Sequence, residues 1–358
     1  VMLQGHIDMV CEKDFNYDHD FDNDPLDLYV EDGYLHARGT TLGADDGYAI
    51  CYMLAILESN TINHPPLDCV FTVQEEVGML GVRNLKADKI RAKRMISMDT
   101  GNEAETCVSS SGGRRVTVVK NFNLTENTWN TYKLKIDGLL GGHSGKFISE
   151  ERGNANKIAF RMLKALSKTT NVRLVNIIGG LKANAIPREC VVEFTCDKKW
   201  DEIDDLFQKI AFDIKKELEF SDPNFSYLLT QLSEKIKVCF DLKTCQEAID
   251  LLYLLPNGFK AKSMVIDGLT TVSLNLGQIE TINDHIECHY LIRSPLTSAR
   301  EELTSEIELL TQLLDAKIII ESDYPGWNFE ADSSMREVLR AVVKDKLETE
   351  LITKASHG

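Results

Sequence analysis

Three things are scarce in this chain of 358 residues. It has no apolar run near the roughly 18 residues that a membrane-spanning helix needs, so no membrane is expected as a partner. It has no C-x-x-C pair. Its nine cysteines are odd in number and scattered, a spacing that fits neither a disulfide framework nor a zinc finger. Reduced thiols in a cytoplasmic protein are the expectation, with cysteines such as Cys51, Cys69, Cys190 and Cys196 read as small core residues inside apolar runs. Positive charge is also short: 40 Lys and Arg stand against 56 Asp and Glu, for a net charge of −16. Without a basic patch to neutralise phosphates, nucleic acid is not expected as a partner either. No leader pattern is visible, and the first residue is Val, so the natural N-terminus is expected to lie upstream.

What is present is an ordinary globular composition, 43% hydrophobic and 27% charged, in a chain long enough for two domains of about 150 residues each. Over 1–111 strands alternate with helices. VMLQG, LDCVFTV and KRMISMD read as apolar strands, and AICYMLAILES as a helix that Asp45 or Asp46 caps. LYVEDGYLHARG reads as a hairpin turning at Asp32-Gly33. That rhythm predicts an α/β domain with a mostly parallel sheet. Over 112–321 the strands alternate apolar and polar residues (TYKLKID, ECVVEFTC, HIECHYLIRS) between amphipathic helices such as GNANKIAFRMLKAL and WDEIDDLFQKIAFDIKKEL. This predicts an inserted α+β domain, an antiparallel sheet with helices on one face, built as two similar units. Residues 322–358, with a helix over 331–347, are expected to return to the first domain.

Four short clusters place carboxylates or histidine where an apolar strand stops: His6 and Asp8 in LQGHIDMV, Asp45 and Asp46 in GADDG, Glu75 and Glu76 in TVQEEVG, and Asp99 in MISMDTG. Each alone is more often a turn, a cap or a solvated loop. Together they would crowd negative charge at the carboxyl edge of one sheet, where ligand sites of open α/β sheets form. A divalent cation relieves such crowding. One His among several carboxylates suits zinc, or manganese or cobalt.

These stretches, with ARGTTLGADDG, GGHSG, GNANK, NAIPRE, LIRS and YPGW, resemble the di-zinc peptidase family that contains carboxypeptidase G, aminoacylase, succinyl-diaminopimelate desuccinylase and the carnosinases, and within it the Xaa-His dipeptidase branch. The resemblance runs along essentially the whole chain. It implies two divalent metals, Zn²⁺ first with Co²⁺ or Mn²⁺ as alternatives, held by His6, Asp45, Glu76 and Asp99, with Asp45 bridging. It implies that Asp8 orients His6, that a cis peptide follows Asp45, and that Glu75 is the general base. It further implies that His143 stabilises the oxyanion, that Asn184 and Arg293 hold the substrate, and that the chain forms a homodimer through the inserted lid domain. The implied activity is hydrolysis of small dipeptides of Xaa-His type. The alternatives are a tripeptidase, N-deacylase or carboxypeptidase on the same site, or a non-catalytic binding module. Against the family pattern, a leading segment and a late histidine ligand are missing. His357 does not replace that ligand, because KASHG resembles the start of a stretch concerned with substrate recognition. The expectation is a catalytic domain cut at both ends, with weak metal binding and little turnover.

Overall fold

The computed structural model describes residues 1–99, 101–234 and 236–358. Contacts divide the chain into two compact units, Val1–Thr106 and Cys107–Gly358.

The first unit contains β1 (Met2–His6), β2 (Leu28–Glu31), β3 (Tyr34–Ala37), α1 (Ala44–Glu58), β4 (Asp68–Thr72), α2 (Leu80–Arg83) and β5 (Met95–Ser97). Three strands form a parallel sheet in the order β4-β1-β5, with His6 opposite Thr72 and Gln4 opposite Ser97. The parallel sheet expected from the apolar runs is present. The long β1-to-β4 connection carries α1, which packs against β1. That packing is close: a Cβ on Gly5 would stand 2.7 Å from both Ala49 Cβ and Asp46 Oδ2. β2 and β3 form the expected hairpin, and its two central residues, Asp32 and Gly33, both take positive φ, the backbone of a tight primed turn. Two expectations fail here. α1 is not capped by an aspartate side chain: Gly43 holds the cap position without a side-chain hydrogen bond. Cys51 is exposed and Cys69 only half-buried.

The second unit continues with β6 (Glu105–Ser110), β7 (Gly112–Asn121), β8 (Leu124–Glu126), β9 (Asn130–Asp137), β10 (Gly142–His143), α3 (Ser144–Phe147), α4 (Ala155–Ser167), β11 (Val172–Gly179), β12 (Ala185–Ile186), β13 (Cys190–Cys196), α5 (Trp200–Glu217) and β14 (Ser226–Gln231). It ends with β15 (Val238–Phe240), α6 (Leu242–Leu254), β16 (Gly258–Lys262), β17 (Thr270–Ile282), β18 (His285–Ser294), α7 (Thr297–Leu313), β19 (Lys317–Tyr324), α8 (Ser334–Leu347) and β20 (Ile352–Ser356).

Its main sheet is antiparallel, ordered β14-β9-β13-β11-β17-β18-β7-β19, with β16 added on β17. The sheet is two four-stranded halves of the same design. In β9, β11, β13 and β14, taken as strands one to four, the spatial order is 4-1-3-2. In β7, β17, β18 and β19 it is again 4-1-3-2, and the first half is spliced into the second between β7 and α6. The halves meet edge to edge through β11 and β17, at only Ile178 opposite Glu280 and Gly179 opposite Ile279. The expected pair of similar units is therefore present as one continuous sheet. Helices α4 to α7 cover one face, and the core between them includes Tyr132, Phe160, Phe194, Phe207 and Leu276. Asn154 caps α4 by accepting from the Asn156 and Lys157 N–H groups, and Asp241 caps α6 likewise.

The residues expected to rejoin the first domain, 322–358, group with the second unit by contact. The reason is local pairing: β19 hydrogen-bonds β7, and β20 pairs with β6. Buried charges here are matched. Arg114 donates to Asp323 at 2.7 Å, and the almost wholly buried Arg300 reaches the same carboxylate at 3.2 Å. Lys120 meets Glu247 at 2.7 Å and two backbone carbonyls.

Candidate active site

Site residues of the first unit converge on the end of β1. His6 is the last residue of that strand and is buried. Its Nδ1 lies 2.9 Å from the backbone carbonyl of Asp8. A carbonyl only accepts, so Nδ1 carries the proton and Nε2 presents its lone pair outward, 3.4 Å from Asp45 Oδ1. A lone pair facing a carboxylate calls for a cation between them. The ring's tautomer is thus set by the chain two residues on, the outer-sphere arrangement typical of metal-bound histidine. Burial opposes charge on His6. The Asp8 carbonyl and the carboxylates of Asp99, Glu75 and Asp8 overcome it and raise the pKa above the ordinary value.

Asp8 itself lies beyond the strand, since β1 stops at His6. Its carboxylate stands 3.5 Å from His6 Nδ1, farther than the carbonyl, so the orienting contact is mainly backbone. The carboxylate instead accepts the N–H of Glu75 at 3.1 Å and that of Glu76 at 3.1 Å, one on each oxygen. Burial would raise its pKa, but these two donors hold it below the usual carboxylate range. The geometry rests on Gln74, whose φ of 56° lies in the left-handed region. This turn ends the alternation of β4 and lets two successive N–H groups point at one carboxylate.

Asp45 and Asp46 are joined by a cis peptide bond, as expected, and they diverge. The Asp45 side chain is 74% exposed, whereas Asp46 is buried. Asp46 Oδ2 accepts the His6 backbone N–H at 3.3 Å, and its Oδ1 has no hydrogen-bond partner. Burial and the nearby Asp99 push its pKa up to about 6. This contact explains why no aspartate caps α1, and it is the site residue to which the sequence reading gave no role. The signal was the doubled Asp of GADDG, but nothing in the string says which of the two turns inward.

Two groups of donor atoms result: His6, Asp45 and Asp99, and His6, Glu75 and Glu76, with the atoms of each group within 4.8 Å of one another. His6 belongs to both. Burial, then the Asp45 charge, raises the pKa of Asp99, and burial, then Asp99, raises that of Glu75. Among the described residues no lysine or arginine pairs with these carboxylates. The imidazole and carboxylate donors, the orphaned Asp46 oxygen and the uncompensated negative charge fit divalent cations.

The second unit gathers another set. His143 ends the two-residue strand β10 and pairs with Ala185 of β12, and the Ser144 N–H donates to the Asn184 carbonyl at 2.9 Å. Arg293, on β18, is 5% exposed, and its Nε has no partner. Burial, then the charges of Arg293 and Lys146, lowers the His143 pKa, and its Nδ1 is buried without a partner. His357 is buried beside Arg293, with Nδ1 2.8 Å from Ser111 Oγ and Nε2 2.7 Å from Ser273 Oγ. Burial, then the Arg293 charge, pushes its pKa down to about 3. No helix among the described residues is long and apolar enough to cross a membrane.

A strand-end cluster of this kind on a parallel sheet, with a second unit built on a large antiparallel sheet, defines a metallopeptidase-type site. Residues 2–358 match the model of Peptidase family M20/M25/M40, and the chain belongs to that family of hydrolases. It is similar to the cytosol non-specific dipeptidase of Escherichia coli (strain K12), with 34% identity over 95% of this chain and 70% of that protein. It is also similar to the crystal structure of aminoacylhistidine dipeptidase from Vibrio alginolyticus, with a TM-score of 0.93 and 32% identity over 100% of this chain and 74% of that one.

Proposed function

We propose that the protein is a dipeptidase dependent on divalent metal, Zn²⁺ first with Co²⁺ or Mn²⁺ as alternatives, and that its substrates include Xaa-His dipeptides. The observation that carries this reading is His6, buried, with its tautomer set by a carbonyl and its ring in two groups of donor atoms with carboxylates. His6, Asp45, Asp99 and Glu76 would hold two divalent metals. Bound there, a divalent cation would acidify a water and polarise the scissile carbonyl. Glu75 is the general base: it takes the proton of the attacking water and delivers it to the leaving amine. Asp8 fixes Glu75 and Glu76 through their N–H groups. His143, kept neutral by burial and Arg293, donates to the developing oxyanion. Asn184 and Arg293 hold the substrate, Arg293 offering its planar fork to the terminal carboxylate.

Residues 1–111 serve the catalytic domain, joined in function by 322–358 although these pack with the second unit, and 112–321 form the lid, through which the chain forms a homodimer. The location is cytoplasmic, in keeping with nine free cysteines and with the name of the Escherichia coli relative. The test is a dipeptide panel that includes carnosine, run on the full-length protein under Zn²⁺, Mn²⁺ and Co²⁺, beside calorimetric metal titration and sedimentation. Metal-stimulated cleavage of Xaa-His dipeptides supports the reading. Exclusive cleavage of tripeptides or N-acyl amino acids, or no metal binding, overturns it.

A further inference from the structure

We propose that Arg115 and Lys182 form a subsite for a carboxylate-bearing side chain on the C-terminal residue of the dipeptide, so that Xaa-Asp and Xaa-Glu are preferred over their amide counterparts. This rests on the dipeptidase reading above and adds a specificity determinant to it.

The subsite lies wholly within the second unit. An open cavity of about 400 Å³ is lined by Arg115, Lys182, Asn184, Gln278, His289 and Glu321, among others. It shares Asn184 with the residues assigned to substrate. It also adjoins Arg293. In the β7–β18 ladder Gly113 faces Arg293 and Arg115 faces Leu291. Alternation puts Gly113 and Arg115 on one face of β7, so Arg115 is the diagonal neighbour of Arg293 on that face. The opposite face is the core, where Arg114 is already spent on Asp323.

Charge on the walls of this cavity is unevenly settled. His289 is held by Thr117 at 2.8 Å, and the same Thr117 hydroxyl donates to Glu321. The other nitrogen of His289 stands 3.5 Å from both Glu280 and Glu287. The contacts of Glu321 therefore run to Thr117 and His289 rather than to Arg115 or Lys182. Arg115 and Lys182 have no carboxylate within ion-pair distance among the described residues, and neither does Arg293. Arg115 and Lys182 thus line one cavity, with Arg115 diagonal to Arg293, and none of the three has a carboxylate in ion-pair range among the described residues, in a chain of net charge −16. Burial lowers the Arg293 pKa, and repulsion from Arg115 contributes to this. A monoanionic dipeptide would answer Arg293 through its terminal carboxylate and leave Arg115 and Lys182 unanswered. A second carboxylate one side chain away would meet them, with the charge-assisted contacts that a neutral amide of the same shape cannot make.

The experiment measures kcat/KM for Ala-Glu against Ala-Gln, and for Ala-Asp against Ala-Asn, in the metal-loaded full-length enzyme and in its R115Q/K182Q variant. Each result is a ratio within one preparation, so a smaller folded fraction cancels. The wild type is expected to favour the acidic member of each pair by about tenfold, chiefly through KM, the scale of one partly exposed charged contact. The double variant is expected to bring the ratio near one, and R115E/K182E to invert it. A wild-type ratio of one or below, or a preference that persists in R115Q/K182Q, overturns the subsite while the dipeptidase reading stands. Cleavage of none of the four peptides, nor of carnosine, overturns the dipeptidase reading and the subsite with it.

Discussion

The two units treat charge in opposite ways. In the packed framework of the second, away from Arg293, buried charge is answered: Asp323 stands between Arg114 and Arg300, and burial that would raise its pKa is outweighed by those two guanidiniums. In the first, Asp45, Asp46, Glu75, Glu76 and Asp99 gather around one histidine with no cationic side chain among the described residues to answer them, and the pKa values of Asp46, Glu75 and Asp99 all move upward. Matched charge at depth holds a fold in one arrangement. Crowded charge of one sign costs stability and persists where something outside the chain completes it. That contrast separates framework from chemistry more sharply than burial does, since His6 and Arg300 are both buried.

The largest test removes the base. Glu75→Gln should lower kcat about 10²- to 10⁴-fold while calorimetry finds metal affinity little changed. Survival of turnover would place the base elsewhere. Next comes the framework itself. Asp323→Asn leaves two buried guanidiniums facing an amide and should destabilise the second unit by about 3 kcal/mol, read from denaturant midpoints. Unchanged midpoints would mean that the matched charges of the second unit are not structural, and the contrast would fail. Gly5→Ala sets a methyl against Asp46 and Ala49. It should cost about 1–3 kcal/mol and weaken metal binding as α1 is pushed from β1. A variant with native metal affinity would show that this contact does not position the site.

The smallest effect is a pH dependence. Unfolded, His357 takes up a proton near pH 6.5, and folded it resists until about 3. The unfolded chain then binds more protons throughout that window, so stability falls as pH drops through it. From pH 6.5 to 5.5 the loss is about 1 kcal/mol, seen as a urea midpoint that shifts in the wild type and less in His357→Asn. Equal shifts in the two proteins would assign the acid sensitivity to other groups.

Much of this was legible beforehand. Apolar runs gave β1, β4 and β5, and Asp32-Gly33 gave its hairpin, because those signals are local. The site residues of the first unit stood out because His6, Asp8, Glu75, Glu76 and Asp99 follow apolar runs, while Asp45 and Asp46 open α1, and because the motifs resemble one family. The common 4-1-3-2 order of the two halves was not readable, since it depends on pairings such as β7 with β18, which lie far apart in sequence. Two-residue strands such as β10 and β12 carry no periodicity to detect. The inward turn of Asp46, the use of the Asp8 carboxylate on two N–H groups and the exposure of Cys51 depend on backbone direction at a strand end. Composition does not encode that direction.

The splice in the second unit has a consequence for how the chain assembles. β9 to β14 are contiguous, so that half can close on itself by local contacts. β7 is made before them, yet its partners β18 and β19 come after them. The outer half therefore carries the larger loop-closure entropy and the slower step. Early compact states should protect the amides of β9, β11 and β13 first, while β7 stays open to exchange until the last strands arrive.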